Sequence, residues 1–180
     1  PFLMGHSLGG TLAAIHAALN PQGVRGLVLL GAPLCFQLGV SRFRDALVSL
    51  VPPGLSDIDA VPGSLFSQVS ALASPSTFIW SRLMDAVLSL TDPAATAIHA
   101  RVERWALDEA ALPGRLVHEI VDWLYREDRF YRGTLPVCGR EVGPSGLRLP
   151  TLMVINTADE IAPPASIAPF ARAMPVGAAQ

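Results

Sequence analysis

Near its start the chain reads Gly5-His6-Ser7-Leu8-Gly9, a match to G-x-S-x-G. An apolar run from Pro1 ends at Gly5, and a helical pattern follows from Leu8 to Leu19. No other feature limits the fold as much. A strand that turns into a helix within one residue forces the central residue into a strained backbone conformation and lifts its hydroxyl clear of the sheet. Side chains two positions to either side would collide, so Gly5 and Gly9 are expected to be required small. Gly10 is expected to let the helix approach the sheet. Ser7 would then open a helix whose dipole favours negative charge, with the backbone N–H of Leu8 aimed at a developing oxyanion. One such donor contributes ~3–4 kcal/mol. A glycine-rich helix entry with a capping serine gives the same letters, but the strand before and helix after favour a nucleophile.

The rest of the chain extends this start into an α/β pattern. Leu12, Ile15, His16 and Leu19 fall on one helical face, and Asn20-Pro21 stops the helix. Leu27-Val28-Leu29-Leu30, closed by Gly31, suits a parallel strand covered on both faces. Strand, helix and strand in about 30 residues make a βαβ unit. Between Pro33 and Pro150 the alternation stops. Turns at Val51-Pro52-Pro53-Gly54, Val61-Pro62-Gly63 and Ala73-Ser74-Pro75-Ser76 separate helical stretches, of which Arg115 to Glu127 is the clearest. The pattern resumes with a strand over Thr151 to Asn156, a loop over Thr157 to Glu160, and a helix opened by Pro163-Pro164 that runs through Arg172. The expected organisation is a parallel-sheet core at 1–33 and 149–180 with a mainly helical insertion at 34–148. The insertion would lie over the carboxyl ends of the strands, where such sheets bind ligands.

Several function classes drop out. A net charge of -2 supplies no basic footprint for nucleic acid. The apolar stretches that approach membrane-span length are broken by Pro, Gln and Ser. No cationic region precedes the first apolar residues as in a signal peptide, and the expected location is the cytoplasm. Cys35 and Cys138 are too few for a disulfide framework or zinc site and read as neutral buried thiols in a reducing compartment. His6, His16, His99 and His118 show no metal-ligand spacing, so neither metal nor cofactor is expected.

In this architecture a serine nucleophile is followed in chain order by an acid and then a histidine. Asp159 comes directly after the strand Thr151 to Asn156, placed to orient an imidazolium. Glu160 is its closest rival, and a plain loop aspartate capping the next helix is the bland alternative. No acid immediately follows the earlier strand that ends at Gly31. His6 is adjacent to Ser7 but points elsewhere on such a turn, and His16 reads as a packed core residue. No histidine follows Asp159. The base is therefore expected beyond Gln180, the strands carrying a second oxyanion donor before Pro1, and the 180 residues alone are expected to be inactive.

With elbow, insertion and acid in place, the chain resembles the polyhydroxyalkanoate synthase family of α/β-hydrolase fold over nearly its whole length. The most specific stretch is Leu135-Pro136-Val137-Cys138-Gly139-Arg140-Glu141-Val142, then Leu149-Pro150-Thr151, similar to the return from cap to core. Asn156-Thr157-Ala158-Asp159-Glu160-Ile161-Ala162-Pro163-Pro164 resembles the family's catalytic-aspartate loop. Val61-Pro62-Gly63 and Arg104-Trp105-Ala106-Leu107-Asp108 look like cap landmarks. The resemblance implies the acid role for Asp159, an acyl ester, acyl-CoA or polyhydroxyalkanoate polymer as partner, and a homodimer through the cap.

The family carries cysteine at the elbow, where this chain has Ser7. A thiolate suits passage of a growing acyl chain, whereas a serine ester is an ordinary hydrolase intermediate. The leading expectation is thus a serine ester or thioester hydrolase, or an acyltransferase, acting on hydroxyalkanoate esters or acyl-CoA. The alternatives are a polymerase that uses serine and a non-catalytic binding protein that keeps the fold.

Overall fold

The computed structural model describes residues 1–53 and 60–178. In chain order the strands are β1 (Phe2–His6), β2 (Gly26–Leu30), β3 (Ala60–Val61), β4 (Leu112–Pro113), β5 (Leu135–Val137), β6 (Arg140–Val142) and β7 (Thr151–Val154). The helices are α1 (Ser7–Leu19), α2 (Arg42–Leu50), α3 (Ser64–Ala73), α4 (Ser81–Ser89), α5 (Pro93–Leu107), α6 (Gly114–His118), α7 (Arg129–Arg132) and α8 (Ala168–Ala173). Two compact units emerge, one of Pro1–Asp45 with Ile120–Gln180 and one of Ala46–Glu119. The second unit falls inside the 34–148 insertion read from the sequence.

The first unit is built on a parallel sheet of order β1-β2-β7. Leu3 lies beside Leu27, which lies beside Thr151, and the rows continue through Gly5, Leu29 and Met153. On that face Leu27 and Leu29 are buried, and α1 packs against β1 and β2. The opposite face differs from expectation. Its rows are Met4, Val28, Leu152 and His6, Leu30, Val154, and Met4, Leu152 and Val154 are exposed. β2's own residues on that face, Val28 and Leu30, are half-buried, so β2 is less fully covered on its second face than on its first.

A second correction concerns α1. Its buried residues are Gly10, Thr11, Ala14, Ala17 and Ala18, whereas Leu12 and His16 are exposed. The face expected to be buried points away from the sheet, and His16 is no core residue. The physical reason is distance. Glycine and alanine let the helix come close, while larger side chains would hold it off.

The family-like hairpin is β5 paired antiparallel with β6. Its turn places Cys138 at φ 49 and Gly139 at φ 75, the two left-handed residues that a tight hairpin requires. Cys138 is exposed there, so only Cys35 matches the expected buried thiol. The expected helix over Arg115 to Glu127 begins as α6 and continues in the wider π-helical winding from Glu119 to Arg126, burying Ile120, Val121, Leu124 and Tyr125. The helix expected through Arg172 opens as a 3-10 turn at Pro164–Ser166 and continues as α8.

In the second unit, β3 pairs antiparallel with β4, and α3 to α6 complete it. Asp92 caps α5 by accepting the Ala94 N–H at 2.9 Å, with Pro93 at the first helical position. Gly63 is a genuine close approach, since a Cβ there would stand 2.6 Å from the Cβ of Glu109. Arg82 on α4 grips Glu103 on α5 with two hydrogen bonds, at 2.8 and 2.5 Å. Trp80 just before α4, with Leu83, Met84, Val87 and Leu88 on it, leaves an exposed apolar stripe, and Ile98, Val102 and Trp105 leave another on α5. Gly54, in the turn expected at Val51 to Gly54, lies outside the described residues. No described helix is long and apolar enough to cross a membrane.

Candidate active site

The last residues of the three parallel strands, His6, Leu30 and Val154, stand in one row. Ser7 follows the first of them, Gly31 the second, and the loop of Asp159 the third. The sheet thus sets these groups along its carboxyl edge, with Ser7 and the acid loop separated by two strand spacings, about 10 Å.

At the first position Ser7 is the opening residue of α1 and has φ 51, one of the few non-glycine residues with a left-handed backbone. Such a conformation persists only where its surroundings enforce it. Here a Cβ on Gly5 would lie 2.6 Å from the Cα of Gly10 and 2.7 Å from the Gly9 carbonyl oxygen. A Cβ on Gly10 would lie 2.5 Å from the Cβ of Ala32. Gly9, expected to be required small, would meet nothing within 4 Å among the described residues. The steric demand therefore falls on Gly5 and Gly10. Ser7 is half-buried and its hydroxyl makes no hydrogen bond among the described residues, so it is not spent as a cap. No side chain caps the helix at His6 and no acid stands in its first turn. The Leu8 N–H is among the helix-start donors that lack an intrahelical acceptor.

At the third position Asp159 is half-buried and Glu160 exposed. Asp159 Oδ1 accepts the N–H groups of Ile161 at 2.9 Å and Ala162 at 2.8 Å. In part this is the bland loop-capping role, filled by one oxygen. The other oxygen, Oδ2, faces Gly31, where a Cβ would stand 3.4 Å from it. Gly31 itself has φ 51 and donates its N–H to the Val154 carbonyl at 3.0 Å.

The segment after Gly31 is tied to both ends of this edge. Thr11 of α1, fully buried, donates its hydroxyl to the Pro33 carbonyl at 2.6 Å. The N–H groups of Leu34 and Cys35 donate to the Ser166 carbonyl at 2.9 and 2.8 Å. The Phe36 N–H donates to Oδ1 of buried Asp128 at 2.9 Å. Burial pushes the Asp128 carboxyl up to about 6, and burial, with the Asp128 charge second, pushes the Cys35 thiol up to about 12. Cys35 is therefore a neutral packing residue rather than a nucleophile. Thr11 was not singled out from the sequence, and Gly31 was read only as the close of a strand, although a glycine closing a strand beside an acid loop is a usable signal. His99 and His118 belong to α5 and α6 of the other unit.

The α/β hydrolase fold family matches residues 1–176. Among curated relatives, a poly(3-hydroxyalkanoate) polymerase subunit PhaC from Haloferax mediterranei is 26% identical over 172 residues, covering 93% of this chain and 35% of the relative. One from Allochromatium vinosum is 25% identical over 164 residues, covering 90% of this chain and 46% of the relative. The chain thus spans less than half the length of these relatives. Among solved structures, the Paleococcus ferrophilus monoacylglycerol lipase aligns with a TM-score of 0.52 and 21% identity, covering 99% of this chain and 56% of the lipase chain. At that identity the likeness speaks for the fold alone. Strand order and family match agree: the chain belongs to the α/β-hydrolase fold family and is similar within it to the polyhydroxyalkanoate synthases.

Proposed function

We propose that this chain carries the nucleophile and the acid of a serine-dependent acyl-transfer enzyme, an ester or thioester hydrolase or acyltransferase acting on hydroxyalkanoate esters or acyl-CoA. The observation that carries the reading is Ser7, strained at φ 51 with a free hydroxyl, on the sheet edge that also bears Asp159. Ser7 Oγ attacks the acyl carbon and its proton passes to an imidazole oriented by Asp159 Oδ2. The carbonyl oxygen becomes an oxyanion facing the Leu8 N–H. Collapse expels the alcohol or thiol, which takes that proton, and water or a second alcohol then releases the acyl group from Ser7. The reading places the base histidine, and a second oxyanion donor, in the portion that longer relatives possess. It also keeps a homodimer through the helical unit, whose α4 and α5 carry the exposed stripes.

In the full-length protein, Ser7→Ala is expected to abolish covalent labelling by a fluorophosphonate. Labelling at full strength would remove Ser7 from the role.

The names of the curated relatives favour a second reading, a polymerase that uses serine. Its signature would be polymer made from 3-hydroxyacyl-CoA and increased by Ser7→Cys, since the thiolate both attacks and leaves more readily.

A further inference from the structure

Ser41 lies 120 residues from the acid loop in sequence and against it in space. It is buried, and its hydroxyl donates to the Ile161 carbonyl at 2.9 Å. That carbonyl and the Ala162 N–H belong to one peptide group, and the Ala162 N–H is a donor to Asp159 Oδ1, at 2.8 Å. The hydrogen bonds therefore run in series: Ser41 O–H to the Ile161 carbonyl, through the peptide plane, and from the Ala162 N–H to the carboxylate. Behind Ser41 the series continues, because the Arg44 N–H in the first turn of α2 points to Ser41 Oγ at 3.4 Å.

Bonds arranged this way polarise one another. A donor on the carbonyl oxygen makes the N–H of the same peptide a stronger donor. The planar peptide also transmits orientation, since fixing its oxygen fixes its N–H. From this geometry we infer that Ser41 is a positioning residue for Asp159. It locks the Ile161–Ala162 peptide so that Oδ1 is held and Oδ2 stays turned toward the space beside Gly31. The inference rests on the proposed role of Asp159 as the acid that orients the base.

Ser41 also caps α2, and the test must separate the two duties. In the full-length protein, Ser41→Ala removes both the cap and the donor to Ile161. Ser41→Asp keeps a capping acceptor but has no proton to donate at neutral pH. Ser41→Thr keeps both. Ester hydrolysis is expected to fall in kcat by about ten- to a hundredfold in the Ala and Asp variants, the scale of a sub-ångström to ångström misplacement. KM should stay within about twofold, and Ser41→Thr should restore most of the lost kcat. In the Asp159→Asn background, Ser41→Asp should cost nothing further, because the two act as one unit. Thermal melts show whether each variant folds. Overturning results are a folded Ser41→Asp variant with wild-type kcat, or full additivity with Asp159→Asn. If Asp159→Asn itself turned over normally, the acid assignment would fall instead, and that outcome is separately readable.

Discussion

Ser7 and Asp159 occupy the same edge of one parallel sheet, yet different forces hold them. The elbow is held by contact. Its strained serine is enforced by glycines at positions 5 and 10 whose backbones nearly touch, all within six residues of chain. The acid loop is held by hydrogen bonds. Asp159 Oδ1 takes two backbone N–H groups of its own loop, and that loop is gripped by Ser41 from a distant part of the chain. Steric enforcement is all or none, whereas a hydrogen-bond network can be weakened in steps. The proposed nucleophile should therefore tolerate almost no change in its supports, and the proposed acid should tolerate graded change.

The harshest way to break the comparison is at Gly5. Gly5→Ala places a Cβ 2.6 Å from backbone, where nothing flexible can give way. Overpacking of that kind costs about 1–3 kcal/mol or more, and here it also displaces the turn. Loss of fluorophosphonate labelling with a lowered melting temperature is expected in the full-length protein. Retention of both would show that contact does not hold the elbow.

An intermediate effect is expected at Asp128, which ties the segment between the two sites. Burial is the main cause of its raised value of about 6, against 3.8 for an ordinary aspartate. The Phe36 N–H and the Arg132 and Arg44 charges pull the other way, and Cys35 is neutral beside it. Folding therefore favours the protonated form. The stability this group supports is greatest below about 4 and declines as pH rises through about 6. A shift of that size corresponds to about 3 kcal/mol as an upper order of magnitude. Asparagine can still accept the Phe36 N–H and tolerates the left-handed backbone at φ 54. Asp128→Asn should thus raise the melting temperature at pH 8 and flatten its change between pH 4 and 6. An unchanged slope, measured by thermal melts at several pH values, would count against a buried charge at this tie.

The smallest effect sharpens the comparison from the other side. Gly9 stands in the motif as prominently as Gly5, yet a Cβ there meets nothing within 4 Å among the described residues. Gly9→Ala should change stability by less than about 0.5 kcal/mol and leave labelling near normal, since helix propensity favours alanine. Destabilisation like that of Gly5→Ala would mean that an element outside the described residues packs against this position.

Much of the candidate site's edge was legible locally. The G-x-S-x-G spacing between an apolar strand and a helix implies a strained serine at a sheet edge, because only a few backbone paths join those elements in one residue. An acid directly after a strand implies a place on the same edge, because parallel strands end side by side. The β5–β6 turn at Cys138-Gly139 was legible as a family motif but not as an exposed thiol, since exposure is a property of neighbours.

What the sequence determined by itself was periodicity and punctuation: strands, helices, and the glycines where the backbone must bend sharply. Which face of α1 is buried was decided only by tertiary structure, because close approach to the sheet selects Gly10, Ala14 and Ala17 over the more hydrophobic Leu12 and Ile15. The same holds for which motif glycine is sterically required, and for the grip of Ser41 on the acid loop. Each depends on atoms brought together from far along the chain, and no local pattern encodes a contact across 120 residues.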